Sequence, residues 1–241
     1  MADRGQSEAV GFATVFGIVL LTLTVVAAGG VAGLEDVRSH QQLSNTQRSF
    51  AVLADNADAV AAGAPSRATQ MRLGGGTLAI GDTVEIAVSG TAVGNASRSF
   101  SHTETYEPLV YSLGDSQVGY SSGALVRAER DGAVLFREPA FVLTNETVLL
   151  PLLSTTHTDR TAVGGSSTLV RTVRTDRELV RANRSTYDVT VSVTSPRAAA
   201  WEDWLADRTA TTCSRTGSTV TCTLRTQRLF VSVDHVAVSF G

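Results

Sequence analysis

The chain has 241 residues, 43% of them hydrophobic, with a net charge of −3. That is enough apolar material for one sizeable domain, and too little charge to draw in nucleic acid or an anionic membrane surface. All 20 basic residues are Arg, and the two cysteines are Cys213 and Cys222. Two thiols are too few for a disulfide-dense scaffold or a four-ligand zinc site. The planar, always-charged guanidinium does not account for the complete exclusion of Lys. The exclusion reads instead as genome bias, of the sort found in salt-loving archaea.

From Ala9 to Leu34 apolar residues dominate until Glu35, and no charge interrupts them. A helix needs roughly 20 such residues to cross about 30 Å of hydrocarbon, so a transmembrane helix is predicted over about 9–34. Only eight residues precede the run. Ala27-Ala28-Gly29 offers a small-residue cleavage site, which would release a secreted domain. The competing leader is Arg4-Gly5-Gln6-Ser7, directly ahead of the run, with Arg4 placed for the cytoplasmic side.

Beyond Gly33 the pattern becomes amphipathic. Leu43, Phe50, Leu53, Ala57 and Val60 recur at helical spacing, so an extension over about 35–62 is predicted to pack on the C-terminal domain. Gly29, Gly30 and Gly33 suit either a kink or close helix–helix approach. Gly63-Ala64-Pro65 ends the helix. The rest reads mainly as strands: Leu78–Ile80, Thr83–Val88, Leu109–Leu113, Ala124–Glu129, Ala133–Arg137, Thr147–Leu153, Ser167–Thr175, Tyr187–Thr194 and Leu229–Phe240. Asp131-Gly132 signals a hairpin turn. In the last strand Leu229, Val231 and Val233 share one parity, whereas Val236, Val238 and Phe240 share the other. A bulge near Asp234-His235 would reconcile them.

Ser195-Pro196 predicts an N-cap and first helical position for a short helix over Ala198–Ala206. Trp201, Trp204 and Leu205 fall on its packing face. Gly217-Ser218 suits a type II′ turn that pairs Thr216 with Thr219 and sets Cys213 opposite Cys222. A cross-strand disulfide, and so an oxidising compartment, is expected. The predicted fold class is α+β: a long N-terminal transmembrane helix, then a mainly antiparallel sandwich-like domain with one short helix.

The leader motif ahead of a lone apolar helix resembles the archaeal type IV pilin family. Ala64–Ala68, Pro108–Tyr111, Gly123–Arg127 and Thr194–Ala198 extend the likeness to an uncharacterised haloarchaeal pilin-like group over nearly the full length. The resemblance implies a prepilin peptidase cutting between Gly5 and Gln6 within the Arg4–Ser7 motif. The chain would then have a leader over 1–5, a long helix over 6–62 and an extracellular domain over 63–241. Glu8 is similar to the acidic residue near the mature N-terminus of bacterial pilins, implying an assembly contact, or else it rests in the headgroup layer. The implied function is a structural or minor subunit of a pilus-like assembly, with the membrane and other pilin-like subunits as partners and a role in adhesion. The alternative is a single-pass membrane ectodomain that binds without polymerising.

His102-Thr-Glu104 and His157-Thr-Asp159 each put a carboxylate on the same side of a strand as an imidazole. His40 and His235 have no such neighbour at that spacing. No nucleophile elbow, phosphate-cradling loop or metalloprotease motif accompanies them. No enzyme, cofactor, metal site or nucleic-acid partner is therefore expected. Asn95-Ala-Ser97, Asn145-Glu-Thr147 and Asn183-Arg-Ser185 are N-glycosylation acceptor sequences.

Overall fold

The computed structural model describes residues 3–130, 132–158, 161–208 and 211–241, without the side chains of 3–9, 27–36 and 38. The elements begin with α1 (Asp3–Ala61), β1 (Arg67–Arg72), β2 (Thr77–Ile80), β3 (Val84–Ala92), β4 (Asn95–Tyr106) and β5 (Leu109–Leu113). β6 (Ser116–Ser121), β7 (Ala124–Glu129), β8 (Gly132–Arg137), β9 (Val142–Leu143), β10 (Thr147–His157) and β11 (Ala162–Val163) come next. The chain continues through β12 (Ser167–Asn183), β13 (Tyr187–Thr194), α2 (Ala198–Ala206), β14 (Thr212–Thr216), β15 (Thr219–Thr226) and β16 (Arg228–Phe240).

Two compact units divide at Gln42/Leu43. In the first, every described residue from Val10 to Val26 is exposed. Among the described residues no helix is long and apolar enough to cross a membrane. The described apolar side chains from Val10 to Val26 cover about 25 Å at 1.5 Å per residue, against about 30 Å of hydrocarbon. The transmembrane helix expected over about 9–34 is corrected accordingly. The membrane as a partner and a single-pass cell-membrane location fall with it.

The second unit, Leu43–Gly241, holds three sheets. The first runs β1-β12-β16-β10-β9, the second β11-β2-β5-β6-β7-β8 and the third β14-β15-β13-β3-β4. The fold is α+β, but it is not the expected antiparallel sandwich. The first sheet is mixed, because β10 pairs with β16 in parallel from Thr147↔Arg228 to His157↔Val238. Both strands alternate over most of their length, as antiparallel strands also do, so nothing in either pattern marks a parallel partner.

Two hydrophobic cores flank the β10–β16 pair. The first gathers the inner face of the third sheet, α2, and Val148, Leu150, Leu152, Leu229, Val231 and Val233. The second gathers the C-terminal part of α1, the inner face of the second sheet, and Leu153, Val236, Val238 and Phe240. Leu43, Phe50, Leu53, Ala57 and Val60 are all buried there, as their helical spacing predicts. The change of parity in β16 is therefore the strand leaving one core and entering the other on its opposite face. The bulge expected at Asp234-His235 belongs to the neighbouring strand instead: β12 slips between Arg174 and Asp176, and again between Leu179 and Arg181, while β16 stays in continuous register with β10.

Asp234 sits at the changeover, 3% exposed. Its carboxylate accepts from Arg177 Nε at 2.7 Å and Nη2 at 3.0 Å. Arg177 Nη2 also donates to the Ala61 carbonyl at 2.5 Å, and Arg174 Nη1 donates to the same oxygen at 3.0 Å. One buried carboxylate thus orients the guanidinium that closes the C-terminus of α1, where carbonyls lack helical partners. Gly63, at φ +121, and the Ala64 N–H donating to the Ala59 carbonyl at 2.9 Å complete that end.

Two local expectations move by a residue or two. The β7–β8 hairpin closes on Glu129↔Gly132, not Arg130 with Ala133, so its turn lies one residue earlier; Asp131 itself is outside the described residues. The residue capping α2 is Arg197, with φ −107 and ψ 35, while Ser195 Oγ accepts from the Arg197 N–H at 3.1 Å. Trp201 and Leu205 are fully buried, as expected.

Asp234 and Arg177 should be energetically coupled. In a urea double-mutant cycle, Arg177→Ala strands a buried carboxylate and is expected to cost about 3 kcal/mol. The coupling with Asp234→Ala is expected at about 1–2 kcal/mol, discounted because Arg177 is half exposed; a value below about 0.5 kcal/mol would make the pair incidental.

Candidate functional site

The third sheet is half-buried, and its two faces differ in chemistry. Its inner side chains, such as Ile86, Val88, Val189, Val191, Val220 and Cys222, are buried in the first core. Its outer face follows from period-two alternation carried across five strands in register. One row reads Ser101, Ser89, Thr190, Thr223 and Thr212. The next reads Thr103, Ala87, Ser192, Thr221 and Ser214. The third reads Thr105, Glu85, Thr194, Thr219 and Thr216. Ala87 and Glu85 are the only positions in these rows without a hydroxyl, and none carries a positive charge.

Neighbouring strands stand about 4.8 Å apart, and same-face residues on a strand about 6.8 Å apart. The result is a regular net of short hydroxyl side chains. Ser192 and Thr221 are hydrogen-bonded at 3.1 Å, and Thr194 and Thr219 at 3.0 Å, so part of the net is already oriented. β-branched Thr is stiff at χ1, and its fixed methyl group lies beside the hydroxyl.

The fourth row, Ser99, Thr91, Asp188 and Arg225, closes one end. Arg225 donates to Asp188 at 2.6 and 3.1 Å, a two-pronged pair that neutralises both charges. The Arg225 hydrogen bond holds the Asp188 carboxyl below its ordinary range, and the same bond raises the guanidinium. Here the face forms a hollow of about 1020 Å³ lined by Ser89, Thr91, Ser101, Thr190, Thr223 and Asn145, among others.

The edge strand β14 is fastened by the Cys213–Cys222 disulfide, with Cα atoms 4.1 Å apart and the two cysteines directly opposite in register. Thr216 pairs with Thr219 across Gly217, whose φ of +61 fits the glycine turn. Both features match the sequence expectation.

Of the acceptor asparagines, Asn95 and Asn145 are exposed. Asn183 is half-buried and committed: Nδ2 donates to Tyr187 Oη at 3.2 Å and Oδ1 accepts from Ser185 N at 2.9 Å. The side chains of Arg4, Gly5, Gln6, Ser7 and Glu8 lie outside the described residues.

Of the two expected histidine–carboxylate pairs, His102 with Glu104 forms. His102 Nε2 is 3.5 Å from Glu104, and His235 Nδ1 is 3.9 Å from the same carboxylate. His157 Nδ1 lies 3.4 Å from Glu107, whereas Asp159 is outside the described residues. Burial pushes the His157 imidazole down, partly offset by Glu107. Among the described residues no group of three or more His, Cys, Asp or Glu is placed to hold a metal ion.

The hydroxyl rows escaped the sequence reading. Their signal is present as alternating Ser or Thr in Ser99–Thr105, Thr190–Thr194 and Thr219–Thr223. It becomes a face only when the order β14-β15-β13-β3-β4 sets those segments side by side.

Replacing both Cys213 and Cys222 with Ala opens a loop of nine residues' separation, with an expected cost of about 2.5 kcal/mol in urea unfolding on the chain-entropy scale. Amide exchange in β14 should accelerate with it. Unchanged β14 protection would mean that the edge strand is held by its hydrogen bonds alone.

No curated protein and no solved structure matches the chain. Its family, whose function is unknown, supplies no activity, source or assembly. The resemblance to archaeal type IV pilins is therefore corrected, and so are the readings built on it: a pilus-like subunit, a prepilin peptidase and other pilin-like subunits as partners, a haloarchaeal source and adhesion. The membrane-anchored ectodomain falls with the absent membrane span among the described residues. Residues 4–239 match a family of unknown function (DUF7289), and the chain belongs to that family.

Proposed function

We propose that the chain is a non-catalytic recognition module whose third sheet contacts a neutral polyhydroxylated polymer, of the polysaccharide class. The observation that carries this reading is the three hydroxyl rows across β4, β3, β13, β15 and β14. Each hydroxyl donates once and accepts twice, so the net can match the mixed donors and acceptors of sugar hydroxyls. The Thr methyls supply apolar contact for ring C–H groups. Short, stiff side chains lose little freedom on binding, which lowers the entropic cost of an extended contact.

Charge narrows the ligand class. A phosphate polymer needs Lys or Arg in the contact rows, yet the three hydroxyl rows contain none and Arg225 is already paired with Asp188. Thr is also simply a good strand residue on a solvated face. That alone does not account for rows almost free of charged side chains, which ordinarily keep such faces in water. The non-catalytic part of the reading is supported by the place of one histidine cluster: two imidazoles share Glu104 on the inner side of β4, away from the hydroxyl rows.

The test is retention of the full chain on insoluble cellulose, chitin and mannan. At least one should retain it, without releasing new reducing ends. Thr190→Val, Thr221→Val and Thr223→Val together preserve shape and strand propensity while removing three hydroxyls. At about 1 kcal/mol per lost hydrogen bond, the triple variant should bind at least about tenfold more weakly. Retention on none of the three, or an unaffected triple variant, would overturn the reading. Reducing ends released by the chain but not by a His102→Ala variant would overturn its non-catalytic part.

A further inference from the structure

A second concavity lies elsewhere, on the face of the second sheet turned away from the second core. It is a groove of about 640 Å³, with a floor that includes Ala79, Val110, Ala128 and Ala133. Those side chains are small, so the floor is shallow and apolar. The wall is formed by the segment entering α2, with Arg197 at the rim. Asp82 lies on the same groove, in the turn before β3.

Arg197 is half-buried. Its Nη2 donates to Gln117 Oε1 at 2.5 Å, a neutral acceptor that orients the guanidinium without compensating its charge. Among the described residues no carboxylate lies within 4 Å of it. The other rim charges of the groove are spent: Glu129 pairs with Arg127, and Arg130 with Asp115. Asp82 is exposed and makes no hydrogen bond or ion pair among the described residues. It still pulls the guanidinium toward its charged form, against the burial that pushes Arg197 down.

A half-buried guanidinium with no carboxylate in direct contact is costly, and a planar fork with free donors is suited to a carboxylate. A nearby carboxylate of opposite polarity, also unpaired, is suited to an ammonium. We propose that this groove binds a small aliphatic amino acid as its zwitterion, with carboxylate on Arg197, ammonium toward Asp82 and side chain on the Val110–Ala128–Ala133 floor. The volume falls within the range of small-molecule pockets. This site is distinct from the hydroxyl face, and neither reading depends on the other.

Calorimetric titration of the full chain tests it with three probes: L-leucine, 4-methylpentanoate, which lacks the ammonium, and 3-methylbutylamine, which lacks the carboxylate. L-leucine should bind saturably, the carboxylate at least threefold more weakly and the amine not measurably. Arg197→Gln should weaken L-leucine at least tenfold. Asp82→Asn, a change at an exposed turn, should weaken L-leucine and should not weaken 4-methylpentanoate, which loses only a like-charge neighbour. No saturable binding of L-leucine up to about 10 mM, roughly tenfold weaker than a millimolar site, would overturn the assignment. So would equal affinity for L-leucine and 4-methylpentanoate, which removes the role of Asp82. Because the three probes are compared on the unaltered chain, the result stands even where Arg197→Gln fails to fold.

Discussion

The constraint on which the molecule depends is the parallel pairing of β10 with β16. A parallel pair cannot be closed by a hairpin, and the chain between these two strands carries β11 to β15 and α2. That long return supplies three strands of the third sheet and the helix that packs beneath it. The same pair is sandwiched between two cores, feeding one from each face. Asp234 marks the changeover, and its hydrogen bonds to Arg177 reach through to the last carbonyl of α1. A carboxylate this buried is tolerable only with such partners.

The third sheet follows from that arrangement. With its inner residues committed to the first core and α2, its outer residues have no packing role to fulfil. They are free to be chosen for contact with something else, and rows of Ser and Thr are what stands there. The Cys213–Cys222 bridge fixes the outermost strand on one side, opposite its partner in register. The groove on the second sheet arises differently. There α2 covers only part of an apolar sheet face, and the remainder is left open beside a guanidinium with no carboxylate in direct contact.

Much of this was legible in the sequence where the physics is local. The glycine turn at Gly217, the disulfide register, the short helix with Trp201 and Trp204 inward, and the buried stripe from Leu43 to Val60 all follow from spacing and turn chemistry. Non-local features were legible only as anomalies. The parity fault in β16 was visible, yet a bulge and a change of core produce the same pattern, and only the neighbouring strands distinguish them. The slip of the β7–β8 turn shows the same limit, since a one-residue shift there is decided by pairing along the strands. Period-two hydroxyls were in view in three segments, but strand order cannot be read from any one of them. Arg197 gave no signal at all, because an unpaired guanidinium is defined by what is missing around it in space. The pilin reading failed at the long apolar run, where composition alone was asked to carry both a membrane and an assembly.

Everything proposed for the third sheet turns on whether its outer face is a contact surface. Thr methyl resonances of the full chain, followed by NMR during titration with a soluble neutral oligosaccharide such as cellohexaose or chitohexaose, read this residue by residue. A contact surface predicts shifts confined to the outer Thr residues, with Thr190, Thr221 and Thr223 foremost, and the inward Val189 and Val191 methyls little changed. Spectra that stay unaltered at saturating sugar, or shifts centred away from the third sheet, would contradict it.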